Sequence, residues 1–149
     1  MRTKIVAAGA ALLALSNLVA AAPGRAEVLI TPREAKLPDA DKRERGPMLG
    51  PKVLLVSPTR DAKSVKSPFS LTIRFEPRDG VAVDLNSLVV TYEKSPPVDL
   101  TERLREFLTP DGIAMPQAET PPGDHRIHVE IKDVDGRLGG TEFSIDAAP

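Results

Sequence analysis

From Lys52 to the C-terminus, short apolar runs alternate with Pro, Gly and Asp at regular spacing, which is the pattern of an all-β sandwich. The first run, Val53 to Val56, is stopped by Ser57-Pro58, and Pro68 opens the second. There Phe69, Leu71, Ile73 and Phe75 share one face while Ser70, Thr72 and Arg74 take the other, predicting a half-buried strand. Pro77 and Asp79-Gly80 end it. After a predicted turn at Asp84 to Ser87, Leu88, Val90 and Tyr92 alternate with Val89 and Thr91. Later, Ile127, Val129 and Ile131 point one way and Arg126, His128, Glu130 and Lys132 the other, until Asp133-Val134-Asp135-Gly136 turns the chain. Phe143 and Ile145 supply the last strand, so 127–131 and 141–146 predict a terminal hairpin.

One segment follows a helical period. Leu100, Leu104, Phe107 and Leu108 fall at i, i+4, i+7 and i+8, with Asp99 as N-cap and Glu102 at capping-box spacing. The expectation is a short helix, or a loop with one helical turn, near 99–108, closing one end of the sandwich. Residues 27–51 have neither period. Four prolines (Pro32, Pro38, Pro47, Pro51) and a charge cluster from Arg33 to Arg45 predict a flexible linker, in which Val28-Leu29-Ile30 could dock as a short strand. The chain thus divides into 1–26, a linker over 27–51 and a sandwich domain over 52–147.

Residues 1–26 hold Arg2, Lys4 and Arg25 and no acid, and Ile5 to Leu15 is an unbroken apolar run. This reads as a signal peptide, cleaved after Ala26 or alternatively after Ala21 or Ala22, and it is short for a membrane span. The expected product is a periplasmic or secreted protein, with no membrane span after cleavage and no cysteine to carry a lipid.

Several stretches carry a resemblance. VSPTRDAKSVKSPFSLTIRFEP, VDLNSLVV, PPGDHRIHVEIKDVDGR and TEFSI together resemble bacterial immunoglobulin-like domains of exported proteins. Ser57-Pro58, Pro122-Gly123-Asp124-His125 and Asp133-Val134-Asp135-Gly136 carry the match over 52–146. The resemblance implies an immunoglobulin-like antiparallel β-sandwich of about seven strands and says almost nothing about function. More distantly, the pattern is similar to the CopC-like periplasmic copper-carrier sandwich. That family uses a histidine at the mature N-terminus, an aspartate and the histidine of a D-G-H turn. Here the mature terminus is expected at Glu27 and the turn reads Asp135-Gly136-Arg137, so the copper ligands do not carry over.

Composition removes other classes. The 149 residues include no cysteine, which excludes disulfides, thiolate metal sites and a cysteine nucleophile. Net charge is -1 over the whole chain; without residues 1–26, 17 Lys and Arg face 21 Asp and Glu, a balance of -4. That balance argues against nucleic-acid binding. No G-x-S-x-G elbow, H-E-x-x-H helix or phosphate-cradling loop is present, and no catalytic residue or cofactor is assigned.

His125 and His128, the only histidines, fall on opposite faces of their strand, with His128 expected on the exposed polar face. No metal site is assigned; Asp133 and Asp135, which resemble part of a calcium loop, and His125 are the residues that could contribute to one, turn chemistry being the alternative for the aspartates. The expected activity is a monomeric, non-catalytic binding or structural module with a protein partner in the cell envelope. Loops at 57–68 and 93–124, or an exposed strand edge, would make the contact, with Tyr92, Lys94, Arg103, Arg105 and His125 as the loop residues. The alternative is a periplasmic carrier of a small ligand or metal.

Overall fold

The computed structural model describes residues 24–149, so the apolar core of the expected signal segment lies outside the described residues. Two β-sheets pack face to face, as the alternation predicts. The first contains β1 (Glu27–Val28), β2 (Lys52–Ser57), β3 (Phe69–Glu76), β6 (Leu108–Thr109) and β7 (Gly112–Glu119). Its order is β1-β7-β3-β2, with β6 also paired to β7. The second, ordered β5-β4-β8-β9, contains β4 (Val83–Tyr92), β5 (Val98–Asp99), β8 (Gly123–Asp133) and β9 (Leu138–Ala147). Among the described residues there are nine strands where about seven were expected, and three of them, β1, β5 and β6, are only two residues long.

The core is built from the inward rows of the alternating strands. Leu71, Ile73 and Phe75 of β3 meet Val90 and Tyr92 of β4, Ile127, Val129 and Ile131 of β8, and Phe143 and Ile145 of β9. Each such side chain, once fully buried, contributes roughly 1.5–3 kcal/mol through removal of apolar surface from water. The terminal hairpin forms as predicted: β8 and β9 pair antiparallel from Gly123↔Ala147 to Lys132↔Leu138.

Three local expectations change. The turn at Asp84 to Ser87 is an irregularity inside one continuous strand, where the register against β8 shifts between Asp84 and Val89. Asp84 Oδ1 accepts the Asn86 N–H at 3.1 Å there, and the Ser87 hydroxyl donates to the Asp84 carbonyl at 2.6 Å. The helix α2 is confined to Thr101–Arg105 and its N-cap is Leu100 rather than Asp99. Asp99 still accepts the Thr101 N–H at 2.8 Å, but Glu102 pairs with Arg105 and closes no capping box. Leu108 leaves the helical path because β6 pairs across a tight turn with Ile113 and Gly112. Gly112 is required in that turn: its φ is 147°, and a Cβ would collide with the Ile73 carbonyl.

The segment 93–124, expected as loops around a short helix or helical turn, holds β5, α2, β6 and β7. Pro116 disguises β7, since proline disfavours a central strand. It falls between the residues that pair with β6 (Ile113) and with β1 (Ala118), and in the register shift against β3 between Met115 and Ala118. Its missing N–H therefore removes no ladder bond.

Residues 27–51, expected as a linker in which Val28-Leu29-Ile30 could dock, are held to both sheets at several points, while 41–47 are exposed. β1 pairs in parallel with β7, and Leu29 and Ile30 behind it are 0% and 1% exposed. Thr31 then caps α1 (Pro32–Ala35) through a complete capping box: Glu34 N–H donates to Thr31 Oγ1 at 3.3 Å, and Glu34 Oε2 accepts the Thr31 N–H at 2.9 Å. Arg103 of α2 clamps this turn with a bidentate contact to Glu34, at 2.9 and 2.6 Å, and donates to the Leu29 carbonyl at 2.8 Å. Beyond α1 the arm crosses to the second sheet, where Ser95 N–H donates to Pro38 O at 2.8 Å and Ala40 N–H to Glu93 O at 3.1 Å. It returns to β2 over the start of β9, so closely that a Cβ on Gly50 or Gly139 would strike the opposing backbone.

Candidate ligand site on the outer sheet face

Along β8 the odd-numbered residues enter the core, so His128 and Glu130 project from the outer face of the second sheet. Glu142 of β9 lies directly across from His128 in the register, and Thr91 of β4 flanks it on the other side. Glu93 comes directly after β4, with its N–H bonded to the Arg126 carbonyl at 2.9 Å. Three carboxylates and an imidazole thereby converge on one patch. One ligand atom each from Glu93, His128 and Glu142 lie within 4.8 Å of one another.

The arm covers this patch with a cation. Arg45 Nη2 is 2.9 Å from Glu93 and 3.9 Å from Glu142, and Arg45 Nη1 is 3.1 Å from Glu130. Arg126 adds Nε at 3.8 Å from Glu142 and donates to the Ala40 carbonyl. Between arm and sheet lies a cleft of about 420 Å³, lined among others by Asp39, Arg43, Arg45, Glu93, Lys94 and His128. His128, expected to be exposed, is buried because the arm roofs it. Its Nε2–H donates to Glu130 Oε1 at 2.8 Å, while Nδ1 is buried with no hydrogen-bond partner.

Compared with protein-family models, curated proteins and solved structures, the chain matches none of them. The site therefore has to be read from its own chemistry.

Of the residues expected to make contacts, Tyr92 and His125 are core groups, each 1% exposed. The Tyr92 hydroxyl donates to His125 Nδ1 at 2.9 Å and His125 Nε2–H to the Pro121 carbonyl at 2.7 Å, a network that consumes both ring nitrogens. His125 is thus unavailable to a metal. Burial raises the Tyr92 pKa, partly offset by the nearby Lys94 ammonium. Lys94 is buried too, its Nζ 2.5 Å from Asp39 and 5.2 Å from the Tyr92 ring centroid. Burial works against that ammonium, but Asp39 and Tyr92 hold its pKa above the ordinary lysine value. Arg103 is committed to Glu34, and only Arg105 is largely exposed, paired with Glu102 at 3.0 Å.

Asp133 serves its own turn. Its Oδ1 accepts the Asp135 and Arg137 N–H groups at 3.0 and 2.9 Å, and its Oδ2 meets Arg137 Nε at 2.8 Å. Burial pushes its pKa up, but these donors outweigh burial and leave it lowered. Asp135 is exposed, and turn chemistry accounts for the Asp133 carboxylate.

Arg45, Glu93, Glu130 and Glu142 were not singled out from the sequence. The spacing of His128 and Glu130 was a usable signal, since both fall on the polar face of one strand. Glu93 and Glu142 needed the strand register, and Arg45 sits in a charge run that looks solvated.

Proposed function

We propose that the chain is an exported, non-catalytic immunoglobulin-like binding module that meets a protein partner in the cell envelope through the loop 57–68. The observation that carries this reading is the loop itself. Residues 59–64 are all exposed, and the loop bears Arg60, Lys63 and Lys66 against Asp61. Its base is tied down by Val65, which bridges to Ala147 and exchanges backbone bonds with Asp146 and Ala148. A cationic tip on a rigid base suits an acidic protein surface. The hydroxyl that His125 accepts from, that of Tyr92, is buried in the core with the imidazole itself, out of a substrate's reach, which supports a non-catalytic role. Among the described residues no helix is long and apolar enough to cross a membrane. Cleavage after Ala26 would leave β1 whole, which fits the export reading.

The test is cross-linking in envelope extract with Arg60, Lys63 and Lys66 each changed to Glu. A specific partner captured by the native chain is lost from the variant, while the melting temperature stays the same. Capture of the same partner by both overturns the reading. A second reading, a carrier of a small ligand or metal, is favoured by the Glu93, His128 and Glu142 cluster.

A further inference from the structure

We infer that Glu93, His128 and Glu142 form a divalent-cation site of zinc-like preference that Arg45 plugs, so that metal binding and seating of the arm exclude one another. The inference rests on the carrier reading and goes beyond it by naming the ligands, the ion class and the competing group.

Two independent observations support a site here rather than an acidic patch. The first is convergence: a carboxylate oxygen of Glu93, one of Glu142 and a ring nitrogen of His128 lie within 4.8 Å of one another. A tetrahedral zinc with bonds of about 2.0–2.1 Å needs its ligands roughly 3.3 Å apart, a closure the two flexible Glu side chains can make. The second is His128, whose side chain is only 4% exposed and whose Nδ1 has no partner. With Nε2–H donating to Glu130, the neutral form of His128 carries its lone pair on Nδ1. An imidazole held by a carboxylate through one nitrogen, with the other nitrogen bare, is the arrangement in which histidine ligates metals. A buried lone pair without a donor is otherwise an unrecovered cost.

The ligand set selects the ion. One imidazole and two carboxylates, with no thiolate, suit zinc or a neighbouring first-row divalent ion, and nitrogen disfavours calcium and magnesium. Charge points the same way, because Glu93, Glu130 and Glu142 together face Arg45, with Arg126 at the margin. A dication replaces one guanidinium with two charges.

The plug is weakly fastened. Residues 41–47 are exposed, and from Asp41 to Leu49 the hydrogen bonds to the domain come from the Arg45 side chain and from Arg78 to the Met48 carbonyl, 3.3 Å long. Displacing Arg45 frees this stretch while Leu29, Ile30 and the Glu34–Arg103 clamp keep the root of the arm in place. If the plug is seated in about nine molecules of ten, it weakens the apparent metal affinity about tenfold.

The experiment is calorimetric titration of the protein with Zn2+, with Ca2+ as the contrasting ion. One Zn2+ binds per chain, Ca2+ does not, and the His128 ring resonances shift while those of His125 stay. Arg45→Gln tightens Zn2+ binding about tenfold by removing the competitor, and Glu142→Gln weakens it by at least as much. Trypsin cuts at Lys42 to Arg45 faster when Zn2+ is present. Because Glu142 is half-exposed, that variant folds even if His128→Gln does not. Stoichiometric binding with Arg45→Gln unchanged or weaker overturns the plug and leaves the carrier reading standing. No Zn2+ binding by either the native chain or Arg45→Gln overturns both.

Discussion

The arm, residues 27–51, and the loop 57–68 have similar compositions and opposite fates. Both carry prolines and mixed charge without a hydrophobic period. The arm nevertheless lies against both sheets, while residues 59–64 stand in solvent. The arm begins with two apolar residues that reach the core, and their burial fixes its root, though ordering residues 31–51 costs about 1–2 kcal/mol per residue and draws on the later contacts as well. Each later polar contact is then made by a chain already held nearby. The loop has only Val65, half-buried at its base, and the Arg60 guanidinium meets a single hydroxyl, Thr141, at 3.2 Å. Charged segments dock when an anchor precedes them and complementary groups await them.

The sharpest way to break this contrast is to remove the anchor. Leu29→Ala should cost about 2–5 kcal/mol in urea unfolding, as expected for a leucine truncated in a closed core. It should also speed trypsin cleavage at Lys42 to Arg45; an unchanged rate would mean the ion pairs suffice alone.

A smaller effect is expected at the clamp. The Arg103 hydrogen bonds hold the Glu34 carboxyl at about 2, well below its ordinary 4.5. A depressed acid pKa stabilises the fold above the unfolded value, so this contribution is complete above pH 4.5 and fades as pH falls toward 2. Its size should be on the order of 1–2 kcal/mol, since solvent reaches the guanidinium side. Glu34→Gln should flatten stability across that window in acid titration, and an unchanged slope would remove the clamp from the account. The smallest effect belongs to the loop: Lys63→Ser should shift stability by no more than about 0.5 kcal/mol. A larger loss would reveal contacts of the kind the arm makes.

The readable parts of the fold were those with period-2 order. β3, the core side of β4 and the β8–β9 hairpin follow from residue alternation, because one face of each meets a core. β7 was hidden by a proline whose harmlessness depends on a register shift, and the extent of α2 on a turn that tightens beyond it. The candidate site was less legible for a related reason. His128 and Glu130 are neighbours on one strand, but Glu142, Glu93 and Arg45 reach them through strand pairing and a returning arm, and neither is encoded in local spacing.

One consequence of β1 concerns aggregation. A bare strand edge invites another chain to add to the sheet. Along β7 that edge is occupied by β6 at Gly112 and Ile113, by Phe107 at Ala114, and by β1 at Ala118 and Glu119. The window left is Met115 to Gln117, and its middle residue, Pro116, has no N–H to offer an intruding strand. Two dipeptide strands and one proline thus make this side of the sandwich a poor template for polymerisation.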